Sequence, residues 1–203
     1  MRGVTIDYDQ VLSSLTPSEP DALTDRLMET LPALWRRTYR KMAQSPTNIL
    51  LFSDHGMDIL FDHASALVAR DIIPPHRAIE DRVVVAFGLS VSTPALRSAG
   101  SMQRWVGPGA RMVGAAGDRG HPMARALGGH PDITLFPQRR AIRREWSADG
   151  RALRAMERYC AAHPGTFCFS RPIYDSRTWW PGAMEYGVLR EDGALWIRRI
   201  DMA

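Results

Sequence analysis

The chain has 203 residues, 45% of them apolar and 24% charged, with a formal net charge of +4. This is the composition of an ordinary folded protein, long enough to bury a sizeable core, with a modest basic excess that permits an anionic partner. Nowhere do about 18 apolar residues follow one another, so no segment is expected to span a membrane. The stretch Met1–Asp9 lacks the apolar run of a secretory signal peptide, which points to the cytoplasm or to export by a route without such a signal.

Residues 10–100 read as mainly helical. Ser18 or Asp21 caps a helix reaching about Ala43, with Leu23, Leu27, Leu31, Leu34 and Trp35 on one face. Pro32 is expected to kink or split it. Arg36, Arg37, Arg40 and Lys41 crowd its last turns, where they suit the helix dipole and a solvated face and can also touch phosphate. Ser53 or Asp54 opens a second helix that ends near Asp71, ahead of Pro74-Pro75. Within it Asp54, Asp58 and Asp62 recur every four residues beside His55 and His63, which is either a wet acidic face or a second-choice cation site. Val83–Leu89 is a buried strand or the core turn of a helix. Glycine then accumulates from Ser98 to Gly117, which divides a helical region, 1–100, from a second domain, 101–203.

The second part is organised around Gly117-Asp118-Arg119-Gly120-His121. Arg111–Ala116 ahead of it reads as a strand, and the two glycines permit a tight backbone where that strand ends. A second apolar run, Asp132–Gln138, is followed by the basic stretch Arg139–Arg144, so that two strands and then a helix would bring these pieces together. After Trp146, Ala152–Ala162 forms a helix stopped by His163-Pro164-Gly165, with Leu153, Met156, Tyr159 and Cys160 as its inner stripe. Glu157 lies beside that stripe, placed to reach a metal or to pair with Arg154 or Arg158. Thr166–Ser170, Met184–Leu189 and Ala194–Ile197 read as strands, the last two joined by a turn at Glu191-Asp192-Gly193. Between them Trp179-Trp180-Pro181 either stacks nucleobases or packs as a lid over the sheet edge. Cys160 and Cys168, the only cysteines, are too few for a disulfide framework; they form a single bridge or stay two reduced, packed thiols.

Asp118–His121, Ala124–Gly129, Leu135–Gln138, Arg154–Tyr159, Arg171–Tyr174 and Met184–Gly187, in this order, resemble the DNA/RNA non-specific endonucleases of the ββα-metal, or His-Me finger, class over roughly residues 110–190. The resemblance implies an α+β fold with a His-Me finger core, an antiparallel sheet and a mainly helical N-terminal part. It implies hydrolysis of phosphodiester bonds in DNA or RNA without strong sequence specificity. His121 would be the general base, a role suited to a group that titrates near neutrality. Asp118 would orient the site, and Arg119 would neutralise phosphate charge through its fork of donors. One divalent cation, Mg²⁺ or Mn²⁺, would stabilise the crowded phosphorane and the leaving oxygen. Arg125, Arg139, Arg140, Arg143 and Arg144 are the expected nucleic-acid contacts, and the N-terminal region is a place for an inhibitor or partner protein. A toxin, a defence effector or a scavenger would each use such an enzyme.

One departure from the family pattern bears on the chemistry. The metal-binding asparagine expected five residues beyond Gln138 is Arg143, Thr134 replaces another, and Asn48 is the only asparagine in the chain. A guanidinium has no free lone pair with which to ligate a cation. Three readings follow: Asp132, Gln138, Glu145 or Glu157 holds the metal instead; Arg143 itself supplies the positive charge; or catalysis is lost. In the last case the fold serves as a nucleic-acid-binding or protein-interaction module.

Overall fold

The computed structural model describes residues 5–15, 20–54, 56–91, 117–120, 136–139, 147–178 and 180–202. In chain order these form α1 (Tyr8–Leu15), α2 (Pro20–Ala43), β1 (Ile49–Asp54), β2 (Met57–Asp62), α3 (Ser65–Ala69), a 3-10 turn (Pro75–Arg77) and β3 (Arg82–Leu89). They continue through β4 (Gly117–Gly120), β5 (Phe136–Arg139), α4 (Ala148–Ala162), β6 (Phe167–Ile173), β7 (Ala183–Leu189) and β8 (Leu195–Asp201). The class is α+β. Six strands pair in the order β1-β2-β3-β6-β7-β8, every neighbour antiparallel, and β4 and β5 make a separate two-stranded pair.

Helices cover both faces of the large sheet. On one face α2 buries Leu23, Leu27, Leu31, Trp35, Tyr39 and Ala43 against Leu60, Val84, Phe87, Phe167 and Phe169. Their spacing of four residues makes a slowly turning apolar stripe, which is why the sequence pattern found this helix. On the other face Leu153, Met156 and Cys160 of α4 meet Cys168, Met184, Tyr186 and Val188. Ser147 caps α4 by accepting the Gly150 N–H at 3.0 Å. β3, β6 and β7 are buried along nearly their whole lengths, as strands sandwiched between helical layers must be.

Several expectations change. The helix expected from Ser53 or Asp54 to Asp71 is a β-hairpin, β1–β2, followed by the short α3. Its two apolar runs are separated by His55-Gly56, and Gly56 takes φ 82°, a left-handed turn conformation that favours glycine. Aspartates spaced by four mislead here because four is a multiple of the strand period as well as close to the helix period. The described part of residues 10–100 is therefore a mixture of helix and strand. It contributes three strands to the same sheet as β6, β7 and β8, through the β3–β6 ladder Ala86↔Ser170 to Leu89↔Phe167. The boundary placed at residue 100 does not divide the sheet. Pro32 lies inside α2 without splitting it. Cys160 and Cys168 are two free, buried thiols, and burial, with Cys160 alongside, pushes the Cys168 thiol up. The turn expected at Glu191-Asp192-Gly193 is present, with Gly193 at φ 78° and its N–H donating to the Arg190 carbonyl at 2.9 Å.

At the centre of the α2 face the Phe169 ring lies over Gly187, the residue opposite it in the β6–β7 ladder. A Cβ at Gly187 would meet the ring at 2.1 Å, far inside van der Waals contact. The ring is also held from above, by Trp35 at 4.9 Å and Tyr8 at 5.3 Å between centroids, so it has little room to yield. Gly187→Ala is expected to lower stability by about 1–3 kcal/mol, the usual cost of overpacking. Urea denaturation measures it, and an unchanged midpoint would contradict this packing account.

Candidate functional site

The central motif of the sequence is itself a strand. Gly117–Gly120 pairs with Phe136–Arg139 in the register Gly117↔Arg139, Asp118↔Gln138, Arg119↔Pro137 and Gly120↔Phe136. The strand expected at Arg111–Ala116 lies outside the described residues, and the described strand is the motif itself. The second strand begins at Phe136, and Asp132 likewise lies outside them. Asp118, Arg119, Gln138 and Arg139 are thereby brought into one four-residue ladder across a sequence separation of about twenty, as antiparallel pairing allows. Gly120 is the last described residue of β4, and His121 follows it in sequence. His121, Arg125, Arg140, Arg143, Arg144 and Glu145 lie outside the described residues.

Glu157 is half-buried on α4 and accepts a hydrogen bond from Arg154 Nη1 at 2.9 Å, one helical turn away. Its pairing with Arg154 is one of the two roles expected for it. Of the second-choice cation set, Asp58, Asp62 and His63 take separate partners, and the Asp54 side chain lies outside the described residues. Asp58 accepts from the Ser53 hydroxyl across the β1–β2 hairpin, whereas Asp62 is fully buried and accepts from Tyr39 Oη at 2.8 Å and the Asn48 N–H at 2.7 Å. His63 Nε2 lies 3.6 Å from Asp81, and His55 is outside the described residues. Burial raises the Asp62 carboxyl above its usual range, against the pull of its two donors and of Arg82. Among the described residues no three His, Cys, Asp or Glu side chains are grouped to hold a metal ion.

What the sequence reading missed are two buried guanidinium networks, both on the α2 face. Arg171 of β6 and Glu185 of β7 stand directly opposite in the ladder, and Arg171 Nε donates to Glu185 Oε2 at 2.7 Å with both side chains only 4% exposed. The same carboxylate oxygen accepts from Tyr8 Oη at 2.5 Å, and Tyr8 Oη accepts in turn from Trp35 Nε1 at 3.1 Å. Burial drives the Tyr8 hydroxyl strongly upward; Arg171 opposes the rise and Glu185 adds to it, so Tyr8 stays a donor at neutral pH. In the second network Arg82 Nε donates to Tyr39 Oη at 2.8 Å, and its guanidinium lies 4.1 Å from the Tyr174 ring centre and 5.3 Å from that of Tyr39. Its Nη1 donates to the carbonyls of Ser176 and Thr178, both at 2.9 Å. The available signal was a charged residue inside an apolar strand: Arg82 before Val83-Val84-Val85, Arg171 after Phe169, Glu185 after Met184.

These networks, with the packing of Phe169 over Gly187, give Arg171, Tyr174, Glu185 and Gly187 structural duties, although all four stand in segments that carry the resemblance. No family model matches the chain, and no curated protein matches it. No helix among the described residues is long and apolar enough to cross a membrane.

Arg171→Met removes the cation from a buried carboxylate and is expected to cost about 3–5 kcal/mol, the scale for breaking a buried pair. Replacing both partners, Arg171→Met with Glu185→Leu, should recover a large part of that loss, because no uncompensated charge remains. A double-mutant cycle by chemical denaturation tests this; a single variant as stable as the natural protein would refute the assignment.

Proposed function

We propose that the chain is a metal-dependent endonuclease that hydrolyses DNA or RNA phosphodiester bonds, with His121 as general base in a His-Me finger site. The observation that supports this reading best is the β4–β5 ladder, in which Asp118-Arg119-Gly120 runs opposite Phe136-Pro137-Gln138 and ends one residue before His121. Proton transfer from an attacking water needs a base held in position, and the motif puts His121 next in sequence after this paired strand. In this reading the His121 imidazole takes the proton as the water oxygen attacks phosphorus. Arg119 and the basic stretch Arg139–Arg144, with Arg125, hold the phosphate oxygens. The cation, Mg²⁺ or Mn²⁺, when bound supplies positive charge at the phosphorus centre.

The second reading, a catalytically degenerate fold that binds nucleic acid or a protein, is favoured by Arg143 at the expected ligand position and by the engagement of Glu157 with Arg154. Plasmid cleavage with and without EDTA separates the two. His121→Ala is expected to lower the cleavage rate about 10²–10⁴-fold with the fold intact, and near-natural cleavage by the purified variant would end the assignment. Arg143→Asn bears on the cation itself. Replacing a guanidinium by a neutral oxygen donor should raise both Mg²⁺ affinity and metal-dependent cleavage, whereas a charge-supplying Arg143 gives EDTA-insensitive cleavage that is lost on the same substitution. If neither protein cuts DNA or RNA at any metal concentration, the binding-module reading replaces the enzymatic one.

A further inference from the structure

The two edges of the six-stranded sheet are finished differently. β8 carries exposed Arg198, Arg199 and Asp201, charged residues of the kind that keep an edge from pairing with another strand. β1, the opposite edge, reads Ile49-Leu50-Leu51-Phe52-Ser53-Asp54 and among the described residues pairs with β2 alone. It contains no lysine and no proline, and its pairing runs in unbroken register from Ile49↔Asp62 to Asp54↔Met57, without a bulge. Leu50, Leu51 and Phe52 are 37, 51 and 36% exposed. Three consecutive apolar residues put open apolar surface on both faces of the strand, whereas a strand with one wet face alternates apolar with polar residues.

The ladder shows which backbone groups are open. The His63 N–H donates to the Asn48 carbonyl at 3.0 Å, so by the alternation of an antiparallel pair Asn48, Leu50 and Phe52 turn their backbone groups toward β2. Ile49, Leu51 and Ser53 turn theirs outward. Arg36 of α2 reaches one of these groups, its Nη1 donating to the Ile49 carbonyl at 3.1 Å, and that oxygen keeps a second lone pair. Leu51 is the middle of the three. A closed dimer that extends the sheet sets β1 antiparallel to its own copy about a two-fold axis. With the axis at Leu51, the two Leu51 residues exchange both hydrogen bonds, and Ile49 of each copy exchanges both with Ser53 of the other. An axis at Leu50 or Phe52 sets Ser53 or Ile49 opposite residues beyond the end of β1. The Leu51 register also lays Leu51 against Leu51 on one face and Leu50 against Phe52 on the other, where Phe61 already meets Phe52 edge-on at 6.2 Å between centroids. Residues 49–53 bring no charge into the seam.

We infer that β1 is a self-association edge, through which two copies of this chain join in one continuous antiparallel sheet with Leu51 on the two-fold axis. This goes beyond the nuclease reading, and cleavage does not bear on it. Sedimentation velocity of the full chain, from about 1 to about 300 µM, follows the monomer–dimer equilibrium. The natural chain should move toward the mass of a dimer as concentration rises. Leu51→Lys and Leu51→Glu each set two like charges face to face on the axis and should each weaken association at least about 10-fold, while an equimolar mixture of the two, with lysine opposite glutamate, should recover most of it. A natural chain that stays monomeric throughout overturns the inference. So does a dimer that neither charged variant weakens, or a mixture that associates no better than either variant alone. Should circular dichroism show the charged variants unfolded, Leu51→Thr decides, since threonine suits a strand and carries no charge: weaker association supports the inference, and an unchanged dimer overturns it.

Discussion

The packing of the α2 face depends on one buried carboxylate. Glu185 sits in a central strand with almost no solvent, and its charge is tolerable only because Arg171 across the ladder and Tyr8 from α1 both donate to it. Tyr8 is in turn positioned by the Trp35 indole N–H from α2. A buried ion pair of this kind contributes little net stability compared with apolar residues of the same shape, because desolvation consumes most of the Coulombic gain. Its consequence is selectivity: β6, β7, α1 and α2 must be in place together, since removing any one strands a charge or a polar hydrogen in the core. Arg171 Nη2 is the one described buried side-chain nitrogen or oxygen left without a partner, so even the assembled network is not fully satisfied.

Sequence periodicity revealed the elements that have one wet and one dry side. The stripes of α2 and α4 were legible because burial on a single face imposes a period, and β6, β7 and β8 were legible as short apolar runs bounded by turn residues. β3 stayed ambiguous because it is dry on both faces, where a strand and a short buried helix look alike. The end of β1, with β2, was expected to be helix opened by Ser53 or Asp54, and its aspartates a wet face or a cation site, yet Asp62 is fully buried beside Tyr39 and Arg82. No local pattern distinguishes an aspartate that faces water from one that accepts two buried hydrogen bonds. Pro172 is a similar case. It is tolerated in a buried strand because the β3 ladder ends at Ser170, two residues earlier, a fact of tertiary pairing alone.

The resemblance divides on the same grounds. Arg171, Tyr174, Glu185 and Gly187 are accounted for by packing: the buried pair, the cation–π contact with Arg82, and the space needed by Phe169. They would be retained in any protein with this sheet, active or not, so they speak for architecture. Asp118, Arg119 and Gln138 are placed by backbone pairing in the small ladder, apart from these packing contacts.

Trp35 and Tyr39 lie one turn apart on α2, and this spacing links the two networks. Trp35 reaches the Arg171–Glu185 pair through Tyr8, and Tyr39 reaches Arg82, whose other donors hold the β6–β7 loop. Side chains four residues apart on a helix share a face, so a shift of α2 along the sheet would disturb both networks at once. The helix is thus neither an appendage nor a separate module. It supplies the inner wall of the sheet core at Trp35 and, four residues on, the aromatic and hydroxyl group that orient the guanidinium holding Ser176 and Thr178. Because a desolvated guanidinium holds the Ser176 and Thr178 carbonyls, loosening of those two residues would leave a buried charge without these acceptors, so this part of the surface is coupled to the core.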